Sequence, residues 1–135
     1  IAGAVEGTRF SFSEVRLGLI PATISAFVIP KIGAGHARAL FATGEAFDAT
    51  HAVQIGLVHL VAPEGHLDGL MEAKIEAVLN AGPEAIFEAK RLVLEAPLPL
   101  EECARRLARA RAGAEGTEGV TAFLDKRRPS FAVDR

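Results

Sequence analysis

The spacing of apolar residues changes about halfway along the chain. In the first part, short apolar or alternating segments bounded by turn residues predict strands at residues 1–5, 9–12 and 57–61. Longer segments between them carry apolar residues at the period of a helix. These segments predict helices at residues 21–32, 35–42 and 49–55. The first part of the chain is therefore expected to be mixed α/β.

Proline, glycine and aspartate mark the ends of these helices. Pro21 suits the first position of a helix, and Gly33 suits its stop. Pro30 lies between them and is expected to kink or end the helix, because proline lacks the N–H group that a helix interior uses. Asp48 is the expected N-cap of the helix that Gly56 closes.

The second part of the chain carries only helical periodicity. Four helices are expected, beginning at Leu67, at Pro83, at Leu100 and at Thr117 or Glu118. Gly82 ends the first of these helices, Pro97 and Pro99 break the second, and Pro129 ends the fourth. The change of pattern near Pro63 predicts two regions, residues 1–63 and residues 64–135.

Composition narrows the class of protein. The chain has 135 residues, 50% hydrophobic and 24% charged, so it can form the packed core of one domain or of part of one. Its net charge of −2 gives no electrostatic case for binding nucleic acid. No stretch reaches the roughly 18 uninterrupted apolar residues of a membrane span, and a single cysteine, Cys103, fits the reducing cytoplasm. Because the first residue is Ile and not Met, we expect a chain that is processed or cut from something longer.

Neither a metal site nor a dinucleotide fingerprint is expected. The histidines form no metal-binding spacing with one another or with the cysteine, so surface or capping roles are expected for them. They are His36, His51, His59 and His66. Residues 33–38 begin like a dinucleotide-binding glycine motif, but the third glycine is absent and the segment follows a predicted helix. A joint between two helices is the better interpretation.

Four arginines place positive charge on one predicted helix. They are Arg105, Arg106, Arg109 and Arg111. Because Glu101 and Glu102 precede them, a solvated face with ion pairs one helical turn apart is the main interpretation. Phosphate binding is the alternative.

The segment from Phe10 to Pro21 is the most informative for chemistry. It places one carboxylate, Glu14, among apolar residues, just before a glycine turn and a helix that starts at a proline. Partial desolvation suits a carboxyl group for proton transfer, and the free N–H groups of a helix start can hold a water or an anion. The alternative is a surface ion pair of Glu14 with Arg9 or Arg16.

Four groups of residues resemble the crotonase superfamily, the enoyl-CoA hydratases and isomerases. The segment Ser13–Pro21 looks like the one that carries the second catalytic glutamate of that family. Three further groups follow in the family's order, namely 43–49, then Gly56–Val58 with Val61 and Pro63, then Glu118–Val120, Ala122–Leu124, Lys126, Arg127, Pro129 and Phe131. Within the family, the first segment looks most like bacterial enzymes that hydrate branched or carboxylated substrates such as 3-methylglutaconyl-CoA.

This resemblance implies an α/β fold in two parts. Residues 1–63 would form the C-terminal part of the family's spiral of ββα turns, and residues 64–135 its α-helical trimerisation region. The family's oxyanion hole and first catalytic glutamate would lie before Ile1. We therefore expect the C-terminal half of an enzyme, inactive alone, with a missing N-terminal half or further copies of the chain as partners.

The chemistry implied by the resemblance is the addition of water across the α,β double bond of an enoyl-CoA thioester, without a metal or redox cofactor. Glu14 takes one of the two glutamate roles, and the backbone N–H of Ala22 helps to hold the water, with Phe12 and Pro21 beside the substrate. The family commonly has Gly-Ala-Gly-Gly where this chain has Ala22–Ser25. The shape of the acyl pocket is therefore expected to differ from the common one.

Two C-terminal residues match family positions that contact coenzyme A, often from a neighbouring subunit. They are Phe123, an aromatic ring for the adenine to pack on, and Lys126, a cation for a phosphate. The alternative places Phe123 in the core and Lys126 at a helix C-terminus as a cation.

Two other functions stay open from the sequence. One is an enoyl-CoA isomerase or another acyl-CoA lyase of the same fold, since the residues that separate these reactions would lie before Ile1. The other is a non-catalytic fragment or assembly module of the crotonase type.

Overall fold

The computed structural model describes residues 1–133, and the contacts within it divide the chain into two compact units. The first unit covers Ile1–Met71 and the second begins at Glu72. The strands are β1 Gly3–Val5, β2 Arg9–Ser11, β3 Ala46–Asp48 and β4 Leu60–Ala62. The helices are α1 Ala22–Thr43, α2 Ala49–Gln54, α3 Leu67–Leu79, α4 Pro83–Glu95, α5 Leu100–Ala112 and α6 Ala114–Leu124, and a 3₁₀ helix covers Ser13–Leu17.

Two small sheets organise the first unit. Strands β1 and β4 pair in parallel, with Ala4 opposite Val61, and the backbone N–H of Glu6 extends the pairing by donating to the carbonyl of Ala62 at 2.8 Å. Strands β2 and β3 pair antiparallel, with Phe10 opposite Phe47. Strand β3 is absent from the sequence expectation, because Asp48 is assigned there to the start of α2 and the strand that pairs with β3 lies far earlier in the chain.

Phenylalanine rings hold the antiparallel pair on the core of the first unit. Phe10 stacks on Phe47 with ring centroids 5.7 Å apart, and Phe12 meets Phe41 edge-on at 5.1 Å. The buried core around them combines these rings with one face of α1 and α2. Its members include Ala4, Phe12, Val28, Ile32, Ala37, Leu40, Phe47, Ala49, Ala52, Ile55 and Val58.

Helix α1 is interrupted at Gly33, the stop that the sequence predicts, whereas the break also expected at Pro30 is absent. Gly33 has φ 75° and ψ 160°, whereas Pro30 lies inside the helix. This combination of angles is in practice restricted to glycine, because any Cβ would clash with the backbone there. The two helices predicted for residues 21–32 and 35–42 are therefore the two arms of α1.

Asp48 caps α2 as the sequence predicts. Its carboxylate accepts a hydrogen bond from the backbone N–H of His51 at 2.8 Å. We expect Asp48→Ala to lower the free energy of unfolding by about 1 kcal/mol, the typical cost of losing an N-cap acceptor. Asp48→Asn keeps an acceptor and should fall within about 0.5 kcal/mol of the wild type. Urea unfolding of the three proteins measures the difference, and equal losses in both variants would contradict the capping role.

Helices α4, α5 and α6 of the second unit are held together by charged side chains. Glu115 of α6 accepts from the first free N–H groups of α4, those of Glu84 at 3.0 Å and Ala85 at 2.8 Å. Arg106 of α5 bonds to Glu102 one turn earlier and to Glu95 of α4. These contacts orient the helices, while the larger apolar side chains of the unit stay exposed, among them Val93, Leu94, Leu100, Leu107 and Phe123.

The division between the units falls after Met71, inside α3, whereas the change of sequence pattern lies at Pro63. The first turn of α3 belongs with the first unit because the side chain of Leu67 packs beside that of Leu60 against Gly3. Glycine permits this close packing because it has no Cβ. The helix that starts the predicted second region therefore contributes its beginning to the first unit.

Candidate active site

Glu14 lies in the 3₁₀ helix that follows strand β2. This helix packs on α1, and the glycine that ends it, Gly18, adopts the left-handed conformation with φ 70°. The backbone carbonyl of Glu14 accepts from the N–H of Leu19 at 3.0 Å, which closes the turn before Pro21. The glycine turn and the helix start that the sequence places after Glu14 are both present, whereas the 3₁₀ helix that carries Glu14 is not among the predicted elements.

The carboxylate of Glu14 is partly buried and unpaired. Its Oε2 atom is shielded from solvent and has no hydrogen-bond partner within residues 1–133. Neither arginine that was expected as an alternative partner pairs with it, since Arg9 donates instead to the carbonyl of Ala46 at 3.3 Å and Arg16 lies beside Gly44. Shielded acceptors are normally satisfied, so this oxygen is available to a group that comes from outside these residues.

The family resemblance implies that the N–H of Ala22 holds a water, whereas in the structure this donor bonds within the chain. This N–H donates to the carbonyl of Ile20 at 2.8 Å, and the N–H of Ser25 donates to the carbonyl of Pro21 at 3.0 Å. Helix geometry then leaves the N–H groups of Thr23 and Ile24 without an acceptor in residues 1–133. The candidate donors for a water at this helix start are therefore Thr23 and Ile24.

Phe12 and Pro21, expected beside the substrate, are both buried. The ring of Phe12 packs in the core against Phe41 at 5.1 Å and Phe47 at 5.8 Å. Pro21 is the N-cap of α1 and fixes where the helix begins. Their contact with a substrate stays a prediction.

Large apolar side chains are exposed in the segment that follows Glu14. They are Leu17, Leu19, Ile20 and Phe27, each more than half exposed. A monomeric protein seldom leaves such a run of apolar surface uncovered. The site therefore has an uncovered apolar border that either a substrate or another polypeptide can bury.

In the second unit, the two residues expected to contact coenzyme A lie at the end of α6. Phe123 is 81% exposed, so it is not part of a core formed by the described residues. Lys126 is exposed, has φ 54°, and pairs with no carboxylate in the described part of the chain. Phe123 and Lys126 are thus an accessible ring and an accessible cation on one short turn.

Beside that turn lies an ion pair that sequence reasoning missed. The guanidinium of Arg127 meets both carboxylate oxygens of Glu118, with Nη1–Oε1 at 2.7 Å and Nη2–Oε2 at 2.8 Å. The backbone N–H of Ser130 adds a third bond to Glu118 at 2.7 Å. Nine residues separate the two partners, so neither helical nor strand spacing points to the pair.

These bonds make the stability that Glu118 contributes to the fold dependent on pH. Hydrogen bonds from Arg127 and then from Ser130 lower the pKa of Glu118 from 4.5 to about 2. Because the folded pKa is the lower one, the stabilisation is fully present above pH 4.5 and is lost as the pH falls through about 2. We expect the difference in Tm between wild type and Glu118→Gln to be largest at neutral pH and to shrink steadily below pH 4.5. A difference that stays constant down to pH 3 would contradict this linkage.

The arginines of α5 are partly used in structural ion pairs. Arg105 and Arg106 both pair with Glu102, as the sequence predicts for a solvated face. Between α4, α5 and α6 lies a cavity of about 780 Å³, lined mainly by apolar side chains such as Phe87, Leu107 and Phe131. It includes neither Phe123 nor Lys126 in its lining.

Two of the histidines, His59 and His66, contact backbone groups in the described residues. His59 accepts from the backbone N–H of Ala2 at 2.9 Å, and His66 lies 3.1 Å from the carbonyl of Glu64. Residues 1–133 contain no group of three histidine, cysteine or acidic side chains placed to hold a metal ion. None of the helices in that range combines the length and apolar character needed to cross a membrane.

Comparison with solved structures defines the class of fold. An enoyl-CoA hydratase from Shewanella pealeana superposes with a TM-score of 0.86 at 38% identity, over 96% of this chain and 51% of that one. An enoyl-CoA hydratase/isomerase from Marinobacter aquaeolei superposes with a TM-score of 0.90 at 36% identity, over 98% of this chain and 53% of that one. The chain thus has the fold of the C-terminal part of a crotonase, as the sequence predicts.

Family membership follows from the sequence comparison. The family model for enoyl-CoA hydratase/isomerase matches residues 1–134, so the chain belongs to the enoyl-CoA hydratase/isomerase family. The 2,3-dehydroadipyl-CoA hydratase of Escherichia coli is 32% identical over 137 residues, which cover 95% of this chain and 52% of that protein. The chain spans about half the length of the curated relatives it matches.

Proposed function

We propose that the chain is the C-terminal half of an enoyl-CoA hydratase and that Glu14 supplies one of the two catalytic carboxylates. The observation that carries the proposal is the shielded, unpaired Oε2 atom of Glu14. Relatives with the name enoyl-CoA hydratase support the reaction class. In the proposed reaction the oxygen of water adds to the β-carbon of the enoyl thioester and a proton adds to the α-carbon.

The part of this chain in the reaction is to hold the water and exchange its proton. The carboxylate of Glu14 accepts a hydrogen bond from the water, and the N–H groups of Thr23 and Ile24 fix the side from which it approaches. The oxyanion hole that polarises the thioester carbonyl and the family's first catalytic glutamate are assigned to an N-terminal half. No redox cofactor is proposed, since the addition of water transfers no electrons between substrate and enzyme, and no metal is proposed, because the oxyanion hole implied by the family resemblance polarises the thioester carbonyl.

Coenzyme A is assigned to the second unit. The exposed ring of Phe123 offers a surface on which adenine packs, and the unpaired ammonium of Lys126 suits a phosphate group. The expected partners are an N-terminal half and further copies of the chain in a homo-oligomer, because apolar side chains are exposed in both units. A cytoplasmic location is proposed from the single reduced cysteine, Cys103.

The acyl group is proposed to be branched or carboxylated. The segment around Glu14 resembles enzymes for such substrates, and the substrate named for the Escherichia coli relative is a carboxylated enoyl-CoA. An enoyl-CoA isomerase is the second candidate, since one relative, from Mycosarcoma maydis, is named enoyl-CoA isomerase/hydratase.

The test is an assay of crotonyl-CoA hydration, followed as loss of enoyl-thioester absorbance, on the complete protein and on residues 1–135 alone. We expect turnover to 3-hydroxybutyryl-CoA by the complete protein and none by the isolated chain. Conversion of a 3-enoyl-CoA to its 2-enoyl isomer without hydration would favour the isomerase instead. Turnover by the isolated chain would contradict the division of the site between two halves.

A further inference from the structure

The turn at the end of α6 holds Lys126 in an unusual backbone conformation. Within the described residues, Lys126 is the only residue other than glycine with a positive φ, at 54°. Side chains with a Cβ seldom adopt this region, because the Cβ crowds the neighbouring carbonyl. Such a conformation persists when the surrounding contacts hold it in place.

Hydrogen bonds made by the residues on both sides of Lys126 stabilise this conformation. Before it, the N–H of Asp125 donates to the carbonyl of Thr121 at 2.9 Å, which continues the helix. After it, the N–H of Arg127 donates to the carbonyl of Ala122 at 3.0 Å, which turns the chain back on α6. The side chain of Arg127, which lies just beyond the end of α6, then reaches back to Glu118 on that helix, nine residues earlier in the chain.

The Glu118–Arg127 pair also makes the two cations at this end of the helix different, because only one of them has a carboxylate partner. Arg127 bonds to both oxygens of Glu118, and this raises the pKa of Arg127 and lowers that of Glu118. Arg127 is thus neutralised by its own carboxylate, whereas the neighbouring ammonium of Lys126 faces solvent without one. Phe123 lies one turn before it with its ring exposed.

The geometry points to Glu118 and Arg127 as positioning residues that fix the turn at Lys126, so that its ammonium and the ring of Phe123 are presented together to the nucleotide part of coenzyme A. This inference rests on the coenzyme A contact proposed above. It adds that the contact is set by a carboxylate and a guanidinium that touch neither the nucleotide nor the thioester.

The test compares two substrates of the complete protein that share a thioester. Crotonyl-CoA carries the nucleotide, and crotonyl-pantetheine lacks it. We expect Glu118→Gln to raise the KM for crotonyl-CoA about five- to tenfold, with kcat and the KM for crotonyl-pantetheine unchanged. Arg127→Lys, which keeps the charge but loses the two-pronged geometry, should act in the same direction. Glu101→Gln, at an exposed glutamate of α5, is the matched control and should leave both KM values unchanged.

A double-mutant cycle with Lys126→Gln shows whether the effect passes through the lysine. If Glu118 acts by positioning Lys126, then Glu118→Gln raises the KM little further once the lysine has been replaced. An equal rise for both substrates, a fall in kcat, or a full effect of Glu118→Gln without Lys126 would overturn the inference.

Calorimetric titration of free coenzyme A separates the two proposals. An unchanged Kd for coenzyme A in Lys126→Gln would reject the proposed contact between Lys126 and coenzyme A, and with it the positioning role of Glu118 and Arg127. The proposed hydration of crotonyl-CoA by the wild-type protein would not be affected by this result. A weakened Kd in Lys126→Gln together with a wild-type Kd in Glu118→Gln would leave the contact intact and reject only the positioning role.

Discussion

Glu14→Gln in the complete protein is expected to lower kcat for crotonyl-CoA hydration by about 10²–10⁴-fold, the range that general acid–base catalysis typically contributes. Glutamine keeps the size of the side chain, but its amide does not exchange a proton with the water. The rate is followed by loss of enoyl-thioester absorbance at saturating substrate. Retention of wild-type kcat would exclude Glu14 from the chemistry.

Folding stability provides the internal control for this variant. Because Oε2 of Glu14 has no partner within residues 1–133, its replacement removes no ion pair that the structure shows. We expect Glu14→Gln to unfold in urea within about 1 kcal/mol of the wild type. Glu6→Gln, at an exposed glutamate of the same unit, should change neither kcat nor stability. A loss of activity matched by a loss of folding would reveal a structural residue instead.

Gly116→Ala is expected to produce the largest loss of stability. An ideal Cβ at Gly116 would lie 2.1 Å from the backbone carbonyl oxygen of Ala110, at the point where α6 crosses α5. A backbone atom cannot rotate away as a flexible side chain can, so the two helices must separate. We expect a loss of about 3 kcal/mol in the free energy of unfolding, measured in urea.

Gly113→Ala is the matched control for that substitution. The Cβ at Gly113 would lie 3.4 Å from the same carbonyl oxygen, an ordinary contact, and its φ of −69° suits any residue. We expect a loss below about 1 kcal/mol, the scale of a changed N-cap. Equal losses in the two variants would show that the close crossing is not what makes Gly116 necessary.

Much of the helical structure could be predicted from the sequence, because its signals are local. The helices predicted to begin at Leu67, Pro83 and Leu100 begin there, since proline and apolar periodicity fix their starts. The start of α6 lies at Ala114, earlier than Thr117 or Glu118, because Gly113 ends α5 and begins α6 at once. Strands are predicted where β1, β2 and β4 lie, but which strands pair, and the presence of β3, depend on segments far away in sequence.

For the candidate site too, the sequence predicts features that depend on neighbouring residues but not contacts that depend on the three-dimensional fold. The position of Glu14 next to a glycine turn and a helix start was visible in the sequence, whereas the absence of a partner for Oε2 depends on where Arg9 and Arg16 lie in space. The family resemblance assigns the Ala22 N–H to a water, but the local turn directs that donor to the carbonyl of Ile20. The Glu118–Arg127 pair forms only after the chain reverses at Lys126.

The contact between Glu14 and the acyl group is tested most directly by a crystal structure of the complete protein with acetoacetyl-CoA, a substrate analogue that is not hydrated. The expected result is a carboxylate oxygen of Glu14 within about 3 Å of a water or of the reacting end of the analogue, the distance that proton transfer requires. A carboxylate that points into bulk solvent, with the thioester bound elsewhere, would contradict the account.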